Sequence, residues 1–438
     1  MNKFSQIFQY EFLHFIRSPF KVATLLLFLF AIIYGCHNGY VLYITQIEQI
    51  RSIENENKQS ISNMILQYDL IENETQEKPR RDPTVPYWSL WSTPSYAFKI
   101  PSPMMVFSIG QSEQYGYYKK VTNWSSTFDS DLAEEIANPE RLALGTLDFN
   151  FVFIYLCPIL MIVLLFNVGG LEKDLKIDHL VYLQSISKRQ WLINRFLFYL
   201  VIIISLIFIL LLFYAVFSGS IKKEPGNLIN LLFNIFLYIL LWLVPFYIIN
   251  YYGKGSADHA IKMISMWLLF CIVIPGFVHQ LTSIKYPINY MTDYLDVSRE
   301  KSNEIFELSI DSLEMKLLEE FPRLSKTTYG ADTTNNTSII NRSVSALINL
   351  LNKDVALKIE KTNEDKNSFI KKFNLINPIT ATQNRFNFFA ETDYYAYKAY
   401  RKKIQSVIDK KIDLILNDTW NKVKVDKQRY ITYVEKFN

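Results

Sequence analysis

The apolar residues of this chain gather in five runs separated by polar and charged stretches. A run of about 20 apolar residues crosses a bilayer as a helix, and no other feature constrains a fold as hard, because backbone polar groups in hydrocarbon must be paired internally. The runs predict spans over 22–41, 149–168, 196–217, 228–251 and 263–280. The expected fold class is a mainly α membrane protein with about five transmembrane helices. It carries a large, mostly helical extracytoplasmic domain built from two polar regions, 42–148 and 281–438.

The second run, FNFVFIYLCPILMIVLLFNV, has Pro158 in its middle and Asn150 and Asn167 near its ends. Such residues suit a helix packed among other helices better than one bathed in lipid. In the fourth run Asn230 and Asn234 lie one turn apart on one face, placed for interhelical packing or for a polar transport path. Ahead of the first span, residues 1–21 carry Phe4, Phe8, Phe12 and Phe15 at helical spacing. That pattern predicts an amphipathic helix lying along the membrane surface or packed on the other spans. No small-residue cleavage site follows the first run, so it is expected to stay in the protein.

The apolar pattern continues past the first span through Ile44, Ile47, Ile50 and Ile53 and resumes at Ile61, Ile65 and Tyr68, which predicts a helical stalk. Proline and arginine end it between Lys78 and Pro86. Residues 87–124, rich in Trp, Tyr, Ser and Pro, read as loops with short strands. In the second polar region, 297–321 reads as one amphipathic helix with Phe306, Ile310, Leu313, Leu317 and Phe321 on one side, stopped at Pro322. SKTTYGADTTNNTS reads as a flexible loop, and helices are predicted over about 344–361 and 390–420, packing with the stalk into one domain.

With the N-terminus in the cytoplasm, the inner segments hold Lys3, Arg17, Lys21, Lys173, Lys176, Lys188, Arg189, Arg195, Lys254 and Lys262, whereas the short outer loop holds Lys222 and Lys223. This bias predicts that both large polar regions face outward.

Chemistry is sparse. A net charge of +4 without an arginine-rich tract argues against nucleic acid. Cys36, Cys157 and Cys271 all lie in apolar runs, so no disulfide framework is expected. The five histidines are scattered, with no HExxH pair, and no GxSxG elbow occurs. Gly253-Lys254-Gly255-Ser256 lacks the first glycine and the hydroxyl residue of a P-loop, so nucleotide, if used, belongs to another subunit. The segment 169–195 is the exception. Gly169-Gly170 leads to Glu172, Lys173 and Asp174. Leu180, Leu183 and Ile186 then alternate with Gln184, Ser185 and Ser187 ahead of Lys188-Arg189 and Arg195. A short amphipathic helix of this kind can sit in a groove on a cytosolic partner.

Several stretches together resemble the permease subunits of ABC-2 type transporters, in the branch with a large extracytoplasmic region and a domain of unknown function. They are NPERLALGTLDFNF with the run it opens and the acidic residue behind it, DHLVYLQSISKRQWLINR, MWLLFCIVIPGFVHQLTSIKYP, PSPMMVFSIGQ and NPITATQNRFNFFAETDYYAYKAYRKKI. Asp178-His179 stands where Gly-Thr is usual, and five spans are read where such permeases have six. The resemblance implies a plasma-membrane protein of a bacterium, not itself an enzyme, with ATP and Mg on a separate cytosolic ATPase and no cofactor in this chain. It implies that Glu172 and residues 174–190 contact that ATPase, with Glu172 and Arg195 bracketing the contact at the membrane surface. Substrate would cross between this chain and a second permease subunit, in a homo- or heterodimer surrounded by membrane lipid. The competing expectation is a membrane-anchored receptor or scaffold whose outer domain binds an envelope partner without transport.

Overall fold

The computed structural model describes residues 3–73, 79–128, 147–183, 187–287, 291–331 and 336–437. The Asn138-Pro139 lead-in and Gln184, Ser185 and Ile186 of the inner segment lie outside these residues. Helices dominate, and four are long and apolar enough to cross a membrane. They are α2 (Pro19–Glu72), α7 (Lys188–Ser218), α9 (Pro225–Tyr252) and α10 (Ser256–Lys285), and they contain the expected first, third, fourth and fifth spans. The helix of the second run, α4 (Phe149–Leu165), is shorter and by far the most buried. A helix apolar on every side belongs inside a bundle, and α4 packs against α2, α7, α9 and α10.

Prolines leave a mark on this bundle. Pro158 follows a π-helical turn at Val152–Leu156, and Pro275 follows another at Leu269–Val273. Proline has no N–H, so the carbonyl four residues before Pro158, that of Ile154, loses its usual donor. Tyr238 of α9 replaces it, donating its hydroxyl to Ile154 O at 2.6 Å, while Trp267 Nε1 of α10 donates to Tyr155 O at 3.1 Å. Neighbouring helices thus supply the hydrogen bonds that hydrocarbon cannot.

The 54 residues of α2 span about 81 Å at 1.5 Å per residue, far more than the about 30 Å of a hydrocarbon core, so its second half stands clear as the expected stalk. It ends in a polar lobe whose core joins both polar regions. From the first come α3 (Pro86–Ser92) and a two-stranded antiparallel ribbon, β1 (Tyr96–Phe98) with β2 (Tyr118–Lys120). From the second come α11 (Val297–Phe306), α12 (Ile310–Glu320), α13 (Thr337–Lys372), α14 (Pro378–Phe389), α15 (Tyr394–Trp420) and α16 (Lys427–Phe437). The stalk closes on α16 through the Tyr68–Tyr430 ring pair and the Lys427–Asp69 ion pair at 2.8 Å.

Three expectations for the lobe need correction. Residues 297–321 form two helices, because Ser309 caps α12 by accepting from Ser312 N, and Phe306 points outward instead of into the stripe. Of the stretch read as a flexible loop, residues 332–335 lie outside the described residues, and the part before them is pinned by Tyr329, buried edge-on against Trp420, with Tyr329 N donating to Trp420 O at 2.9 Å. The helix expected over 344–361 runs from Thr337 to Lys372. Its polar positions lie on exposed turns, where hydrophobic periodicity does not register them.

Bundle and lobe meet where α4 begins. Asp148 caps that helix, accepting from Phe151 N at 2.7 Å while also accepting from Ile109 N at 3.0 Å. Asn150 donates to Ser108 Oγ at 2.9 Å and to Asn387 Oδ1 of α14 at 3.0 Å. Phe386 of the same helix stacks on Phe149 and Phe153. The backbone of α2 approaches so closely that a Cβ on Gly39 would lie 2.5 Å from Val106 O.

Two outcomes are expected. Tyr238→Phe strands the Ile154 carbonyl and should cost about 1–3 kcal/mol in unfolding of the detergent-solubilised protein. Lys411 of α15 is buried and donates to Ser95 Oγ at 2.8 Å and Val121 O at 3.0 Å, and burial pushes its amine from the ordinary 10.5 down to about 7. The unfolded chain therefore holds the extra proton between those values, so lobe stability should rise with pH across that window. Thermal melts from pH 7 to 10 should show the rise, and Lys411→Met should remove it.

Candidate functional site

At the end of the bundle away from the lobe, the chain leaves α4, makes a compact hairpin and re-enters as α7. The hairpin consists of α5 (Leu171–Asp174) and α6 (Asp178–Leu183). The turn between them is a Schellman arrangement: Ile177 N donates to Glu172 O at 2.9 Å and Lys176 N to Lys173 O at 3.0 Å, with Lys176 left-handed at φ +56°. The reversal is complete two residues before Asp178-His179, so that pair has no left-handed geometry to supply. Asp178 instead opens α6, where a carboxylate favours the helix N-terminus.

Arg195 holds the base of the hairpin. It is 1% exposed, one turn and more inside α7, which begins at Lys188 instead of after residue 195 as the segment boundaries implied. Its Nη1 donates to Glu172 Oε1 and to Val168 O, both at 2.5 Å, and its Nε meets the carboxylate of Glu11 from α1 (Lys3–Ile16). The expected bracketing of the segment by Glu172 and Arg195 is thus a direct ion pair. Glu11 is the member that sequence reading missed. The Phe line is only partly inward: Phe15 is buried with Ile7 and Glu11, Phe8 is half-buried against Phe198, and Phe12 faces outward. A lone carboxylate at i+4 between two apolar residues was the available signal.

A second cation lies close by. Lys21 of α2 is buried and donates to Leu164 O at 3.0 Å, Asn167 Oδ1 at 2.8 Å and Tyr199 OH at 3.0 Å. Burial first, then the charge of Lys21, holds the His14 imidazole of α1 below its ordinary value.

The other side of the hairpin is fastened to the turn joining α9 and α10. Gly169 N donates to Asn250 Oδ1 at 2.9 Å, Lys173 Nζ to Gly253 O at 2.6 Å, and Lys188 Nζ to Tyr251 O at 2.6 Å. Asp174 accepts from Ser256 N at 3.2 Å. The glycines of the P-loop-like fragment have a packing reason: a Cβ on Gly255 would lie 2.4 Å from Asp174 Oδ1, and one on Gly253 would strike His259.

Above this tethered base the hairpin presents uncovered apolar side chains. Leu175 and Ile177 are exposed, as are Leu180 and Leu183 at 62% and 79%, three residues apart on one face of α6. Arg189 is exposed at the start of α7. Of the residues expected to couple to a partner, Leu180, Leu183 and Arg189 are therefore accessible, Asp174 and Lys188 are engaged with the α9–α10 turn, and Glu172 and Arg195 act from within. Asn230 and Asn234 sit elsewhere, near the lobe. Asn230 is exposed, and Asn234 accepts from Arg385 Nη1 of α14 at 3.2 Å, which ties lobe to bundle. Among the described residues no group of three or more His, Cys, Asp or Glu side chains is placed to hold a metal ion.

A family model described as "Domain of unknown function (DUF3526)" matches residues 294–435, the second polar region from just before α11 into α16. No curated protein and no solved structure matches the chain.

Removing the guanidinium leaves Glu11 buried without its counter-charge, at a cost of about 3–5 kcal/mol. Arg195→Met should therefore lower the melting temperature sharply, and adding Glu11→Leu should restore much of the loss. Additive losses in a double-mutant cycle would mean that the two groups are not coupled.

Proposed function

We propose that this chain is the permease subunit of an ABC-2 type transporter, moved by a separate cytosolic ATPase seated on the hairpin. One observation supports this above others: an uncovered leucine face stands on a base in which Glu172, Lys173, Asp174, Lys188 and Arg195 are bonded to the membrane helices or to the turn between α9 and α10. A free surface loop has no need of such a base. A push on Leu180 and Leu183 would pass through Glu172 and Arg195 to α7 and α1, and through Lys173 and Lys188 to the α9–α10 turn.

In this reading the Arg195 end is cytoplasmic, in keeping with its excess of lysine and arginine, and the lobe stands outside the plasma membrane. ATP and Mg bind to the ATPase, and substrate crosses beside a second permease subunit. The Asn234–Arg385 pair serves the seating of the lobe, not a polar path. A receptor or scaffold would need no motor on the hairpin, so one experiment separates the readings. Purified under mild detergent from its native cell, the chain should bring an ATP-binding protein with it, and Leu183→Asp should release that protein while leaving the melting temperature unchanged. Retention of the ATPase by the variant would remove the hairpin from the mechanism, and the absence of any ATPase from the unaltered protein would favour the scaffold.

A further inference from the structure

Among the described residues, the most exposed large apolar side chain is Leu375, at 96%, in the turn between α13 and α14. Ile376 beside it is 60% exposed and Phe388, at the far end of α14, is 61% exposed. Three such residues on a polar lobe need a reason, and their location supplies one.

The turn lies at the boundary between bundle and lobe. On one side, the end of α13 reaches the end of the membrane helix α10: the ring of Phe369 packs on Tyr286, and Lys285 Nζ stands 4.4 Å from that ring. On the other side, α14 lies among the membrane helices themselves. Its Ile379 and Phe386 are buried in the core of the bundle, Phe386 stacks on Phe153, and Arg385 reaches Asn234, nine residues into α9 from Pro225. An element leaving the end of one span and entering beside the flank of another passes through the depth of the lipid headgroups. Charges flank the exposed aliphatics as they do in interfacial segments: Lys371, Lys372 and Arg385 are all exposed, although Lys371 also donates to Tyr395 OH at 3.0 Å and Arg385 uses one of its several N–H donors on Asn234. Long cationic side chains at such a level lay their stems along apolar surface and turn their charges to headgroup phosphate.

The geometry points to α14 and the turn before it as a lipid-seated wedge, with Leu375, Ile376 and Phe388 immersed in the leaflet on the lobe side and Lys371, Lys372 and Arg385 at its phosphates. The matched domain of unknown function would then be a membrane-surface domain as well as a polar one. This inference rests on the chain's being a membrane protein and is independent of any ATPase.

The test uses the full chain in nanodiscs. The native cysteines are buried, so a bimane label goes to an introduced one. Leu375→Cys carries the probe, and Leu357→Cys, on an exposed position of α13 facing the charged groove of the lobe, is the control. Phosphatidylcholine brominated on its acyl chains should quench the label at 375 severalfold more than at 357, and aqueous acrylamide should do the reverse. Equal acrylamide quenching at both positions, with none from bromolipid, would put Leu375 in water and overturn the inference. Protection at 375 from both quenchers would put a protein there, whether a second copy or another partner, and would overturn it equally. Neither result depends on whether Leu183→Asp releases an ATPase.

Discussion

A guanidinium inside an apolar bundle has to be neutralised on the spot, since burying an isolated charge costs far more than a domain's whole stability. Arg195 meets this requirement with groups from three separate places: Glu11 on the N-terminal helix, Glu172 on the hairpin and the Val168 carbonyl in the turn that follows α4. The hairpin is rigid at its root for that reason. Two carboxylates on one cation would be poor on a surface, where ion pairs contribute little, but here loss of one partner leaves another charged and stranded. The N-terminal helix is consequently part of the machinery of the hairpin and not only a float on the membrane surface.

The same pressure to pair polar groups in an apolar interior accounts for two contacts in the middle of the bundle. Pro158 frees a carbonyl, and a tyrosine on the neighbouring helix takes it; Lys21 brings an ammonium, and a carbonyl, an amide and a phenol surround it. Such bonds fix helix against helix in one register, which lipid-like side chains cannot do alone. They make α4 the shared partner of its neighbours, so a movement imposed at one end of it is felt by all of them.

At its other end α4 starts in the Asp148–Asn150 junction, where three distant stretches of sequence meet: 101–111, 147–151 and 377–389. Their convergence there could not be read from their spacing along the chain. The lobe is thus seated on the start of α4, while the hairpin hangs from its end. This short buried helix, alongside the much longer α2, thus links the hairpin end of the bundle to the lobe.

Much of this architecture was legible in the residues. Apolar runs of span length have one outcome in lipid, so the long helices, the stalk and the hairpin between the second and third runs followed from periodicity and length. Leu180 and Leu183 were legible as an unpartnered face for the same reason, since local spacing determines which side chains share a side of a helix. Only the tertiary structure decided that Arg195 reaches Glu11, that Tyr238 completes the backbone at Pro158, that α14 lies against the bundle and that Leu375 is left bare. The first three join residues far apart along the chain, and the last depends on where such joins leave the turn before α14. Periodicity reports which face of a helix is apolar, but the partner of a buried charge or a freed carbonyl is set by which helices become neighbours, and that is settled by packing over the whole fold.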